Sequence, residues 1–259
     1  MRVSADYRAI ARESLQGKWL SAAVVRFVAV LLGASIALES NGSVDIEIPS
    51  TLKENAEVLP LLYALIAALV VLALVQFIIG GAVTLGYARY NLSLVDGRET
   101  GMKTIFSCFD RLWSGFCLQL LRRVFIALWS LLFVIPGIVK TYAYAMAPYI
   151  LLEHPELTDS DAISLSKEIM EGNKSRLFWL NLSFIGWELL VSLPSIMLSL
   201  ALIGAHTTVD LWLMGMLSLC MIPASIGGCF VEAYREAAVA AFYRDVSRIR
   251  FSVPRTVKE

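Results

Sequence analysis

The chain has only two histidines, His154 and His206, and four cysteines, Cys108, Cys117, Cys220 and Cys229, with no C-x-x-C pair among them. That scarcity excludes a structural zinc site at any familiar spacing and argues against a disulfide framework. No surplus of either charge exists, since 22 Lys+Arg meet 22 Asp+Glu, so nothing suggests a nucleic-acid partner. Nucleophile-elbow, H-E-x-x-H, P-loop and G-x-G-x-x-G signatures are all missing. Without an acid/base, nucleophile or metal constellation, the chain reads as non-enzymatic, with no cofactor and no metal. A cleavable leader is not expected either, because residues 2–18 are amphipathic and of mixed charge.

What is present in excess is apolar surface. Hydrophobic residues make up 58% of the 259 positions, well above the roughly 45–50% of ordinary soluble domains. Charges fall in clusters, and the gaps between them approach the roughly 20 residues needed to cross a bilayer. The runs lie near 19–38, 59–86, 116–135, 138–152, 177–205 and 211–231. The expected fold is therefore all-α: one integral membrane domain over 1–259, a bundle of about six transmembrane helices. An amphipathic interfacial helix is expected at 4–17 and a cytoplasmic tail at 244–259.

Charge orients this bundle. The connection between the first two runs carries five acids and only Lys53, whereas the segments holding Arg89 to Arg111, Lys167 to Arg176 and Arg235 to Lys258 are basic. By the positive-inside rule the basic face is cytoplasmic, and both termini lie there. Pro136 and Gly137 then become the outer turn between two short arms, or the tip of a re-entrant pair.

A weak internal repeat is visible. Short amphipathic segments ending in Gly17, Gly115 and Gly172 each precede an apolar run, as glycine often follows a helix C-terminus. An A-x-Y triplet recurs at Tyr90, Tyr149 and Tyr243. The pattern suggests three units of interfacial helix plus hairpin, with the middle one abbreviated.

Polar groups inside the apolar runs carry the functional information, because charge within a bilayer is costly. Arg26 lies about 12 Å past Lys18 and Glu188 about 18 Å past Arg176, by helical rise. An acid so deep either pairs with a base, is protonated or lines a wet cavity, and Arg26 is its first-ranked partner ahead of Lys140 and Arg123. Gln76 and Asn181 can bridge helices by hydrogen bonds. Lys140, Thr141 and Tyr142 follow the outer turn and can form a small polar pocket. Pro194 and Pro223, with Gly227 and Gly228, mark kinks or close helix contacts.

Three motifs stand out. They are A-R-x-x-L-x-G-x-W (Ala11, Arg12, Leu15, Gly17, Trp19), P-G-I…K-x-Y-x-Y…P-Y-I-L (Pro136 to Leu151), and A-I-x-x-S-K-x-x-M-x-G-N-K (Ala162 to Lys174). On these the chain resembles a family of bacterial integral membrane proteins of unknown function, family 975. It is more weakly similar to the membrane domain of some glycerophosphodiester phosphodiesterases, without their catalytic domain. The resemblance implies a multi-pass protein of the bacterial plasma (inner) membrane and brings no catalytic residues. Expected partners are membrane lipids and a membrane protein. Two functions remain open: an accessory or scaffold module that binds a lipid or hydrophobic ligand, and a small transporter or channel using Glu188 with Arg26 or Lys140.

Overall fold

A computed structural model describes residues 3–33, 58–204 and 211–252. All regular structure among them is helical. The first helix, α1 (Ser4–Ser14), is held at its start by the Asp6 carboxylate, which accepts from the Val3 N–H at 2.9 Å. Tyr7, Ala11 and Leu15 recur every four residues, so one face of α1 is buried while its polar face stays outside. Gly17 ends the turn with φ +72°, a conformation that costs a residue bearing Cβ. The chain then bends by 102° into α2 (Trp19–Leu31).

The run expected at 59–86 forms a longer rod, α3 (Val58–Val95), of about 57 Å by helical rise. Its two halves differ in environment. Leu65, Leu69, Val71 and Leu74 are more than half exposed, whereas Val83, Leu85, Tyr87, Ala88 and Tyr90 are wholly buried. A short helix α4 (Lys103–Phe106) and a single 3-10 turn (Phe109–Arg111) lead into α5 (Leu112–Leu132). Rods α3 and α5 touch through backbone. A Cβ on Gly81 would stand 2.3 Å from the Gly115 carbonyl carbon, so only glycine fits. Gly115 is therefore a contact residue inside α5 and not a helix terminator, unlike Gly17 and Gly172.

The reversal after α5 falls at Phe133, whose φ −157° and ψ 145° are extended, and not at Pro136-Gly137. Both of those residues lie in the first turn of α6 (Val134–Ala143). Proline is accommodated there because the first amide groups of a helix have no intrahelical acceptor. Gly137 lets α6 fold back against α5, since a Cβ on it would meet Ser130 Oγ at 2.2 Å. The run expected at 138–152 is not one helix. At ten residues α6 is about 15 Å long, half a bilayer, and it stops at Tyr144 before α7 (Ala147–Glu153).

Helix α8 (Asp159–Ile169) repeats the plan of α1. Thr158 Oγ1 caps it by accepting from the Asp161 N–H, and Gly172, at φ +77°, ends the following turn. Ser166 on α8 seals the break between α6 and α7, donating to Ala143 O at 2.8 Å and accepting from Met146 N–H at 3.2 Å. The run expected at 177–205 is divided into α9 (Lys174–Leu182) and α10 (Ile185–Gly204), bent by 47°.

The last helix, α11 (Leu211–Ser252), includes the run expected at 211–231 and continues through most of what reads as a tail. Pro194 and Pro223 lie inside α10 and α11 without interrupting either. Gly227 and Gly228 give a close helix contact: a Cβ on Gly228 would meet Val191 Cγ1 at 3.4 Å.

The core sits at one end of the molecule. It is built from α1, the second half of α3, α7, α8 and residues 233–246 of α11, whose Ala237, Ala238, Ala240 and Ala241 let neighbouring helices approach closely. From this base, apolar helices project with exposed side chains. Among the described residues two stretches are long and apolar enough to cross a membrane, Tyr63–Val95 and Lys103–Leu131. The number rises to four if each bent pair, α1 with α2 and α9 with α10, is one span.

Candidate functional site

One turn of α11 supplies Glu232, Arg235 and Glu236, at i, i+3 and i+4 and hence on one face. Arg235 Nη1 donates to Glu188 Oε1 of α10 at 2.7 Å, and Arg235 Nη2 to Glu232 Oε2 at 2.6 Å. Glu232 Oε2 also accepts from Arg26 Nη2 of α2 at 3.2 Å. The result is an alternating row, Arg26–Glu232–Arg235–Glu188, that fastens three helices. Arg26 is 2% exposed, and its guanidinium carbon stands 5.5 Å from the centroid of the Tyr87 ring. Glu236 is wholly buried beside the row, 4.0 Å from Arg235, and its oxygens accept no hydrogen bond among the described residues. Arg26 and Arg122 supply further positive potential around it.

The exposed end of the row opens into a cleft of ≈ 380 Å³ between α10 and α11. Glu188, Glu232, Ser192, Ser195 and Ser225 supply its polar groups, and Val191, Ala224 and Val231 its apolar wall. A second cleft, of ≈ 360 Å³ between α2 and α11, shares Glu232, Ser225 and Gly228 and adds Arg26, Phe27 and Val30. Segment 225–232 of α11 thus separates two grooves with Glu232 at the edge of both. Acceptors beside an apolar wall suit an amphiphile whose head is cationic or donates hydrogen bonds. Among the described residues no group of three or more His, Cys, Asp or Glu side chains is placed to hold a metal ion.

Two further clamps hold the base of the bundle. Arg244 on α11 makes a bidentate pair with Asp96 at 2.9 and 2.6 Å and also binds Glu153 at the end of α7, which accepts from Tyr243 Oη at 2.6 Å. Arg176 on α9 donates to Asp245 at 2.9 Å and to the hydroxyl of Tyr7, which itself donates to Asp245 at 2.6 Å. Beyond α7, His154 Nδ1 stands 3.0 Å from Glu156 Oε1. A backbone hydrogen bond and then this imidazole hold the Glu156 carboxyl below its ordinary range.

Of the residues expected to form the polar site, Arg26 and Glu188 do join one network, although not as a direct pair. Glu232 and Arg235 stand between them. Tyr142 lies within electrostatic reach of Asn181, Arg235 and Glu188. Lys140 does not take part. Its ammonium lies 4.4 Å from the centroid of the Trp129 ring, while Thr141 Oγ1 bonds back to Gly137 O. Gln76 bridges helices as expected, donating to Leu31 O at 2.9 Å, but does so apart from the network.

Glu232, Arg235 and Glu236 escape a reading of the sequence that stops the last apolar run at Val231. The signal that finds them is the absence of any helix breaker from Cys229 to Ser252, flanking charges spaced for one face.

Fold and site together define an all-helical protein in which an alternating ion-pair row is set between apolar helices. The family described as "Protein of unknown function (DUF975)" matches the chain twice, over residues 1–141 and 131–250, and the chain belongs to that family. The family matches two copies, where the sequence pattern suggests three units. No curated protein and no solved structure matches the chain.

Proposed function

We propose that this is a non-enzymatic, multi-pass protein of the bacterial plasma membrane that binds a lipid or other amphiphile in the cleft between α10 and α11. The membrane assignment is supported by the exposed apolar side chains of α3, α5 and α10, a surface that lipid solvates and water does not. The distribution of Lys and Arg supports cytoplasmic termini. The observation that carries the binding reading is the cleft itself, with Glu188 and Glu232 beside three serine hydroxyls and an apolar wall.

The test is mass spectrometry of the amphiphiles that co-purify with the full chain in mild detergent, for wild type and Glu188→Gln. The glutamine keeps the side-chain shape, and Arg235 keeps Glu232, so the fold is retained. An amphiphile with a cationic or donor head, present with wild type and strongly depleted with E188Q, supports the reading. An identical complement in both removes it.

A second reading, transport, is favoured by one feature. The side chain of Glu188 is 37% exposed at the open end of a row that leads back to buried Arg26. Transport predicts flux of the co-purified amphiphile in proteoliposomes and its loss in E188Q.

A further inference from the structure

A third cleft, of ≈ 270 Å³, lies beside α11 and is lined by residues of α1 and of the start of α10. Its lining includes Arg8 and Arg12 and no acid. The two arginines are four residues apart on α1 and therefore share a face. Neither makes an ion pair among the described residues, and Arg8 Nε is buried without a hydrogen-bond acceptor. The opposite wall is aromatic: Trp19 packs edge-on against Tyr234 at 5.7 Å between centroids, and Tyr234 against Phe184 at 5.0 Å. Tyr234 also donates to Arg8 O at 3.0 Å, which holds α1 against α11. A guanidinium pair with no carboxylate, beside a rigid aromatic wall, is built for an external anion that carries an apolar body.

The bend at Gly17 orients α1 and its two arginines. With 102° between α1 and α2, an α2 that enters the membrane along its normal makes α1 lie across that normal, in the plane of the headgroups. Trp19 and Trp187 at the rim are residues that prefer that layer. We propose that Arg8 and Arg12 bind the phosphate of an anionic phospholipid, whose glycerol and upper acyl region rest against Trp19, Phe184 and Phe230. The proposal rests on the membrane reading above and is independent of the amphiphile cleft at Glu188.

The experiment is native mass spectrometry and thermal unfolding of the full chain in mild detergent, with phosphatidylglycerol, phosphatidylcholine or inorganic phosphate added separately. Wild type is expected to retain phosphatidylglycerol in preference to phosphatidylcholine and to unfold at higher temperature in its presence. Arg8→Gln with Arg12→Gln should weaken that retention by roughly tenfold or more, the scale of a lost charge-assisted contact. Arg12→Gln alone, an exposed position that cannot unfold the chain, should reproduce part of the loss. Equal retention of the two lipids, or undiminished phosphatidylglycerol retention in the double variant, overturns the proposal. So does inorganic phosphate that stabilises wild type as well as the lipid does, because the cleft would then be a small-anion site. Failure of the membrane reading is seen separately, as chain that remains in the supernatant without detergent.

Discussion

Arg26 and Glu232 meet at 3.2 Å although 206 residues separate them along the chain. The contact ties an early helix to the last one, and Arg235 shares the same carboxylate. Replacing Arg26 by Met should destabilise the fold by about 2–3 kcal/mol, less than the roughly 3–5 kcal/mol of a fully orphaned buried pair, since Arg235 still holds Glu232. Arg235→Met should cost more than Arg26→Met, because it releases two acids at once. Glu188→Gln should cost about 1 kcal/mol or less, its exposed carboxylate being screened. Unfolding of the three variants in detergent micelles by denaturant titration checks the order.

Gly81 and Gly115 bring α3 and α5 to backbone contact. Gly81→Val should lower stability by about 1–3 kcal/mol or prevent assembly, since neither rod has a side chain that can yield. Gly101→Ala is the control, having nothing within 4 Å of an added Cβ. Melting temperatures of the two variants should separate clearly.

Tyr7, Arg176 and Asp245 join three helices through one carboxylate. A double-mutant cycle of Tyr7→Phe and Asp245→Asn should give a coupling of about 0.5–3 kcal/mol. Additive effects would mean that the contact contributes nothing to the folded state.

The Tyr7–Asp245 hydrogen bond also sets α1 beside the last turns of α11. Reporters fused before Ser4 and after Ser252 should therefore be labelled from the same side of the membrane. The basic residues around them predict the cytoplasmic side.

Parts of this architecture were legible from residue patterns. Ile10 and Leu15 with Gly17, and the matching segment ending at Gly172, announce an amphipathic helix and its stop through local chemistry alone, although the wholly buried face of α1 is Tyr7, Ala11 and Leu15. Arg26 and Glu188 were legible as a site because charge within an apolar run needs a reason. Their connection was not, since it depends on the rotational phase of α11, which no short-range signal reports. The reversal at Phe133 was hidden for a similar reason. Phenylalanine has no turn preference, and the proline three residues later fits just as well inside the first turn of a helix. The contact of Gly81 with Gly115 is likewise set by how two distant rods cross.

The straightness of α11 carries a last consequence. Beyond Pro223 nothing interrupts it before Ser252, so about 20 Å of continuous helix joins the groove floor at Glu232 to the clamps at Arg244 and Asp245. A rod without a joint tilts as a whole. Whatever widens or narrows the space beside Ser225 at one end must therefore register as strain on Asp96, Glu153 and Arg176 at the other.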